Sequence, residues 1–215
     1  MTGDWSDPVW LGVGWVLVAY LVGTIPSALI VARARGATAV LGGASRKAGE
    51  LDAHILLTRH AGPAWSSLAA GADVLKALLL SFATRAMDLE PRWQAAAGVA
   101  LVLGYCWPPY ARRFAGRGLA VAAGVYLALL PLSTLVFGLL ILAGVALGAT
   151  GLWSTVALMS VPLTAAILDA PGPLVVMSGA ILLLILLRRL EGVRRVTDVP
   201  LGRALWRRAV LDVTS

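Results

Sequence analysis

Ionisable residues are scarce in this sequence. Between Gly118 and Leu168, 51 consecutive residues contain no Asp, Glu, Lys, Arg or His. Over the whole chain only 13% of residues are charged, roughly half the share usual in soluble domains. Such a run cannot face water, which excludes a soluble globular protein. A bilayer crossing takes about 20 apolar residues as a helix, so the run is too long for one crossing, and Pro131, the glycines from Gly148 to Gly151 and Pro162 mark where it can fold back. Cysteine is nearly absent as well. Cys106 stands alone, which excludes an internal disulfide. No basic stretch precedes the first apolar segment, where Asp4 and Asp7 stand instead; that segment is expected as a retained span and not a cleaved signal peptide.

What is present agrees. Hydrophobic residues make up 59% of the chain and the mean hydropathy is +0.84. The net charge of +7 would suggest nucleic acid as a partner in a soluble protein. Here the basic residues sit in short loops beside apolar segments, where they act as topology signals and lipid-headgroup contacts, so no nucleic-acid partner is expected. The expected fold is all-α, a single polytopic membrane domain over 1–215 with about seven spans near 8–32, 61–84, 93–111, 118–131, 133–149, 152–169 and 171–187. The N-terminal flank has no Lys or Arg, whereas the segment after Leu187 carries Arg188, Arg189, Arg194, Arg195, Arg203, Arg207 and Arg208. The positive-inside rule then puts the ends on opposite sides, the N-terminus outside and the C-terminus in the cytoplasm. Internal charges sort the same way: the loops 33–60 and 112–117 hold eight basic residues, and the loop facing outward holds two, Arg85 and Arg92. The cytoplasmic tail 188–215 reads as amphipathic, with Leu201 to Val213, carrying Arg203, Trp206, Arg207 and Arg208, as a helix at the headgroups.

The one long loop contains Ala44-Ser45-Arg46-Lys47-Ala48-Gly49-Glu50-Leu51-Asp52 and then Arg59. Its small polar residues coincide with G-S-G-N-x-G-A-T-N, keeping Ser45 and Gly49 and placing Lys47 and Asp52 at the two Asn positions. A four-residue insertion brings Arg59 onto the motif arginine. Upstream, Ala19-Tyr20-Leu21-Val22-Gly23-Thr24-Ile25-Pro26 is similar to A-Y-L-x-G-S-I-P, and downstream Asp73-Val74-Leu75-Lys76 is similar to D-x-L-K. Gly104 to Tyr110 and Ala115 to Val121 fall on G-H-x-x-P-V-F and G-G-K-G-V-A-T with unchanged spacing; Tyr105 stands at the histidine and Arg117 at the lysine. Ser154 matches the first serine of K-Y-x-S-L-x-S, and Arg188-Arg189 fall on R-H-R-x-N-I, with Arg189 at its histidine. Nearly the whole chain thus resembles the bacterial membrane family of acyl-phosphate:glycerol-3-phosphate acyltransferases.

Physical chemistry gives these positions meaning independently. A cation flanked by Gly116 and Gly118 at the opening of a helix can bind a phosphate, because exposed amides and the helix dipole add to its charge; equally, Arg112, Arg113 and Arg117 serve as positive-inside markers. Ionisable residues within a span are costly and usually paired, and Asp73 and Lys76, at i and i+3, are expected as a structural ion pair. Neither His54 nor His60 has a carboxylate or cysteine at ligand spacing, and no metal or cofactor is expected.

The resemblance implies acyl transfer from an acyl phosphate to the 1-hydroxyl of glycerol 3-phosphate, in phospholipid synthesis at the bacterial plasma membrane. Ser45, Arg59 and Arg117 would then be catalytic, and Lys47, Gly49, Asp52, Tyr105, Gly116, Gly118, Ser154 and Arg189 would contact substrate. Membrane lipids would be the remaining partners. An H-x4-D acyltransferase motif is excluded, since Arg59 and Trp65 stand five residues after His54 and His60. The replaced positions leave two other readings open: a related transferase with a different acceptor, and a non-catalytic membrane paralogue or lipid-binding subunit.

Overall fold

A computed structural model describes residues 9–36, 53–110 and 116–191. Among them all regular structure is helical: α1 (Val9–Gly23), α2 (Ser27–Ala34), α3 (Ala53–Ala61), α4 (Pro63–Ala86), α5 (Pro91–Cys106), α6 (Leu119–Leu129), α7 (Pro131–Ala146), α8 (Thr150–Ile167) and α9 (Gly172–Leu190). Among the described residues, four stretches are long and apolar enough to cross a membrane: Val9–Ala34, Pro63–Ala86, Thr150–Ile167 and Gly172–Leu190. Two apolar helices are shorter, Leu119–Leu129 and Pro131–Ala146.

Proline sets several of the boundaries. Pro63, Pro91 and Pro131 each open a helix, where the missing N–H is no loss and the fixed φ is already helical. Pro26 divides the first apolar run into α1 and α2. Lys76 Nζ reaches this break and donates to the carbonyl of Ile25 at 2.6 Å. Pro162 lies inside α8 without ending it.

Packing follows the distribution of small residues. The paired helices α1 and α5, and α4 and α6, form the principal contacts, with α7 against α8 and α9 against α5 and α8. A Cβ on Gly23 would collide with the carbonyl of Leu101, one on Gly104 with that of Tyr20, and one on Gly124 with that of Val74. Backbone therefore meets backbone at these crossings, the close approach through which membrane helices gain dispersion contact where no hydrophobic force separates protein from lipid. The core between them holds Leu101, Val121, Tyr126, Leu158, Met177 and Ile181, all buried. Tyr126 meets Phe137 edge to face at 6.0 Å and donates to the carbonyl of Ser178 at 3.4 Å. Outward faces carry exposed apolar side chains such as Leu79, Phe82, Leu139, Leu142, Leu163 and Leu183, a surface suited to lipid.

Candidate active site

The polar heart of the bundle is one carboxylate. Asp73, completely buried on α4, accepts hydrogen bonds from side chains on four helices. Ser27 Oγ of α2 donates to Oδ1 at 2.6 Å, and Lys76 Nζ, one turn along α4, lies 2.6 Å from the same oxygen. On the other oxygen, Tyr105 of α5 donates to Oδ2 at 2.9 Å, and His54 Nε2 of α3 lies 3.1 Å from it. His54 Nε2 is also 2.9 Å from the Tyr105 hydroxyl, and Lys76 sits 4.9 Å from the centre of the Tyr105 ring. Burying a carboxylate is tolerable only when paired and hydrogen-bonded, and this one is served on both oxygens. The expected partners Asp73 and Lys76 are thus adjacent, within a larger network that their spacing did not announce.

Beside this network the loop before α6 presents Arg117. Gly118, with φ of +87°, opens α6 in a backbone conformation that glycine adopts at no steric cost. A Cβ there would stand 2.8 Å from Cys106 Sγ, and one on Gly116 would stand 2.5 Å from the Tyr105 hydroxyl. Both glycines thus let the Arg117 loop lie directly on the end of α5. Arg117, His54, Tyr105 and Gly118 line a cavity of about 310 Å³ whose other walls are apolar, among them Leu119, Ala123, Phe137 and Ile141.

A second polar group joins α8 to α9. The guanidinium of Arg189, buried to 4% exposure, donates through Nη1 to Thr155 Oγ1 at 2.6 Å and through Nη2 to Ser154 Oγ at 2.9 Å. Its neighbour Arg188 donates through Nε to the carbonyl of Gly116 at 3.4 Å and pairs with Glu191, which also accepts from Trp107 Nε1. The C-terminal end of α9 is in this way tied to the residue preceding Arg117.

The structure therefore brings Arg117, Tyr105, Gly116 and Gly118 together, and Ser154 with Arg189. Arg59 lies exposed on the last turn of α3 and is not among the residues lining the Arg117 cavity. Ser45, Lys47, Gly49 and Asp52 fall outside the described residues, as do Arg112, Arg113 and the tail from residue 192. Sequence reasoning missed His54, Ser27 and Thr155. Ser27 could have been found from its place after the Pro26 motif; Thr155 directly follows the matched Ser154. His54 had no local signal, being 19 residues from Asp73 on another helix.

Within the helical bundle, then, an arginine opens onto an apolar-walled cavity. Residues 13–198 match the family described as glycerol-3-phosphate acyltransferase. Among individual relatives, the glycerol-3-phosphate acyltransferase of Geotalea daltonii is 30% identical over 182 residues, covering 84% of this chain and 91% of that protein. The enzyme of the same name from Geobacter sulfurreducens is 32% identical over 182 residues, with the same coverage. The fold is similar to crystal structures of PlsY (YgiH), an integral membrane glycerol 3-phosphate acyltransferase. Its glycerol 3-phosphate form matches with a TM-score of 0.73 at 27% identity, over 86% of this chain and 90% of that one. Its lysophosphatidic acid form matches with a TM-score of 0.71 at 25% identity over the same shares. The chain belongs to the glycerol-3-phosphate acyltransferase family, and is a membrane protein whose described residues form helices alone as regular structure.

Proposed function

We propose that the protein transfers a fatty acyl group from an acyl phosphate to the 1-hydroxyl of glycerol 3-phosphate, giving lysophosphatidic acid and inorganic phosphate. The observation that carries this reading is the cavity with Arg117 on one side and apolar side chains on the other. It offers a cation to a phosphate and a dry wall to an acyl chain. The family's solved relative in its glycerol 3-phosphate and lysophosphatidic acid forms supports the same substrate and product here. An acyl phosphate is already activated, so the protein has to hold two anions together and offset their charge, a task of positioning and electrostatics. In this reading Arg117 neutralises a phosphate whose oxygens also face the amides opening α6. Gly116 and Gly118 permit that approach, and Tyr105 borders the reacting groups. Arg59, Ser45, Lys47, Gly49 and Asp52 serve the loop side of the substrates, and Arg189 with Ser154 forms a further anion contact.

The test is acyl transfer from an acyl phosphate to radiolabelled glycerol 3-phosphate by the purified protein in a lipidic phase. Lysophosphatidic acid is the expected product. Product formed only with another acceptor would make the protein a related transferase, and no product with any acceptor would make it a non-catalytic relative.

The proposal includes seven spans in one membrane domain of the bacterial plasma membrane, with the N-terminus outside and the C-terminus in the cytoplasm. Single cysteines introduced at Gly3, at Asp88 and at Ser215, after Cys106→Ala, are expected to react with an impermeant thiol reagent in intact cells at the first two sites and not at the third. Cys106 is fully buried, so its replacement by a smaller residue leaves the surface unchanged. Labelling at Ser215 without permeabilisation would overturn the orientation.

A further inference from the structure

Arg117 stands between two glycines, and a glycine on each side leaves the backbone there unusually free to turn. Close contact requires both: a Cβ on Gly116 would strike the Tyr105 hydroxyl, and one on Gly118 would strike the Cys106 sulfur. The restraint on this loop therefore has to come from outside it, and α9 meets it at both glycines. Ile185, fully buried, puts Cγ1 3.5 Å from where a Cβ on Gly118 would stand. Nearly one turn further along, Arg188 donates through Nε to the carbonyl of Gly116 at 3.4 Å. We propose that Arg188, braced by Glu191 and Trp107, is a positioning residue for acyl transfer: it holds the peptide that leads into Arg117 and so sets where the Arg117 side chain stands in the cavity. The inference rests on the acyl-transfer reading above.

The brace is built on a buried charge. Arg188 is 5% exposed, and a buried guanidinium is tolerable only with its partners in place. Glu191 is the first of them: one of its carboxylate oxygens pairs with Arg188 Nη1, and the other accepts from Trp107 Nε1. The Trp107 ring, just past the end of α5, lies 5.9 Å from Arg188 Cζ. Arg188 is thereby held from α5 and α9 at once, and the atom it addresses through Nε belongs to the peptide group that ends on the Arg117 nitrogen. A peptide group is planar, so fixing the Gly116 carbonyl fixes the plane from which Arg117 departs. The adjacent residue on α9, Arg189, holds Ser154 and Thr155 of α8. One turn of α9 thus ties the Arg117 loop to the other anion contact of the proposed site. Acyl transfer needs both substrates at a fixed separation, and a misplacement of about 1 Å is enough to cost about 100-fold in rate.

The experiment measures acyl transfer by full-length wild type, Arg188→Met, Arg188→Lys and Glu191→Gln in a lipidic phase, with the folded fraction of each taken from its melting curve. Methionine keeps much of the apolar stem and loses every donor. Arg188→Met is expected to lose about 30-fold in kcat per folded molecule with KM for each substrate within about threefold, because the charge of Arg117 is still present and what is lost is its alignment in the transition state. Lysine keeps a cation for Glu191 and a donor for the Gly116 carbonyl, so Arg188→Lys is expected to stay within about fivefold of wild type. Glu191→Gln loosens Arg188 from a side chain that is 39% exposed; it is expected to fold normally and to lose about fivefold in kcat with both KM values unchanged. Unchanged kcat per folded molecule in Arg188→Met overturns the proposal and makes Arg188 a structural tie. So does a rise in one KM with kcat intact, which would make Arg188 a ligand of that substrate, and so does an Arg188→Lys no better than Arg188→Met. Should Arg188→Met not fold, Glu191→Gln decides: wild-type kcat there overturns the proposal, and the kcat loss upholds it. Inactive wild type would instead bring down the acyl-transfer reading itself, an outcome visible before any variant is measured.

Discussion

Asp73→Leu is expected to lower the thermal midpoint in detergent by about 10 °C, and Lys76→Leu by clearly less. The asymmetry follows from who is stranded. Removing Asp73 leaves the ammonium of Lys76 without its counter-ion, and leaves Ser27, Tyr105 and His54 without the oxygen they address. Breaking one side of a buried pair costs roughly 3–5 kcal/mol, and each stranded donor adds to that. Removing Lys76 leaves a carboxylate that still has three donors. The double replacement should recover only the part of the loss due to the unpaired ammonium, so it should remain nearer to Asp73→Leu than to wild type. Full recovery in the double variant would reduce the network to a simple ion pair. Equal losses from the two single replacements would say that Ser27, Tyr105 and His54 contribute nothing to holding the carboxylate.

Arg117→Gln should abolish acyl transfer, with a loss of at least about 100-fold, because a phosphate would then meet neutral groups in a partly dry cavity. Arg117→Lys should retain part of the activity, since a point charge offsets a phosphate but lacks the planar fork of a guanidinium. Membrane orientation should be unchanged in both, as Arg112 and Arg113 still mark that loop. Titration of the purified variants with glycerol 3-phosphate and with an acyl-phosphate analogue separates binding from chemistry. Equal affinity for both ligands in wild type and Arg117→Gln would leave this residue as a topology marker alone.

The helical class and the approximate places of the apolar segments were legible because bilayer crossing and proline punctuation are local properties. The break at Thr24–Pro26 and the start of α4 at Pro63 are of this kind. The glycines around Arg117 were legible as a pattern but not in their full role, since a sequence gives no sign that a side chain at position 116 would strike the Tyr105 hydroxyl. Least legible was the convergence on Asp73. Ser27 and Asp73 are 46 residues apart and His54 and Tyr105 are 51 apart, and what unites them is the way α2, α3 and α5 pack around α4. Helices apolar on every side give no periodic clue to which face turns inward. The pairing of Ser154 with Arg189 was within reach only through the motif positions, because both ends of that contact are polar groups in otherwise unremarkable apolar helices.

The brevity of α6 has a bearing on where the two reactants meet. Eleven residues at a rise of about 1.5 Å each reach roughly 16 Å, about half the thickness of a hydrocarbon core. Arg117 is thus held only that far from the turn at Leu130, where the chain doubles back into α7. In the proposed arrangement of seven spans, either the bilayer would pinch inward around such a helix or the arginine would hang below the plane of the headgroups. Both arrangements shorten the journey that an aqueous solute must make toward the oily interior. The mismatch between protein and lipid would then be a means of bringing water-soluble and fat-soluble reactants to a common depth.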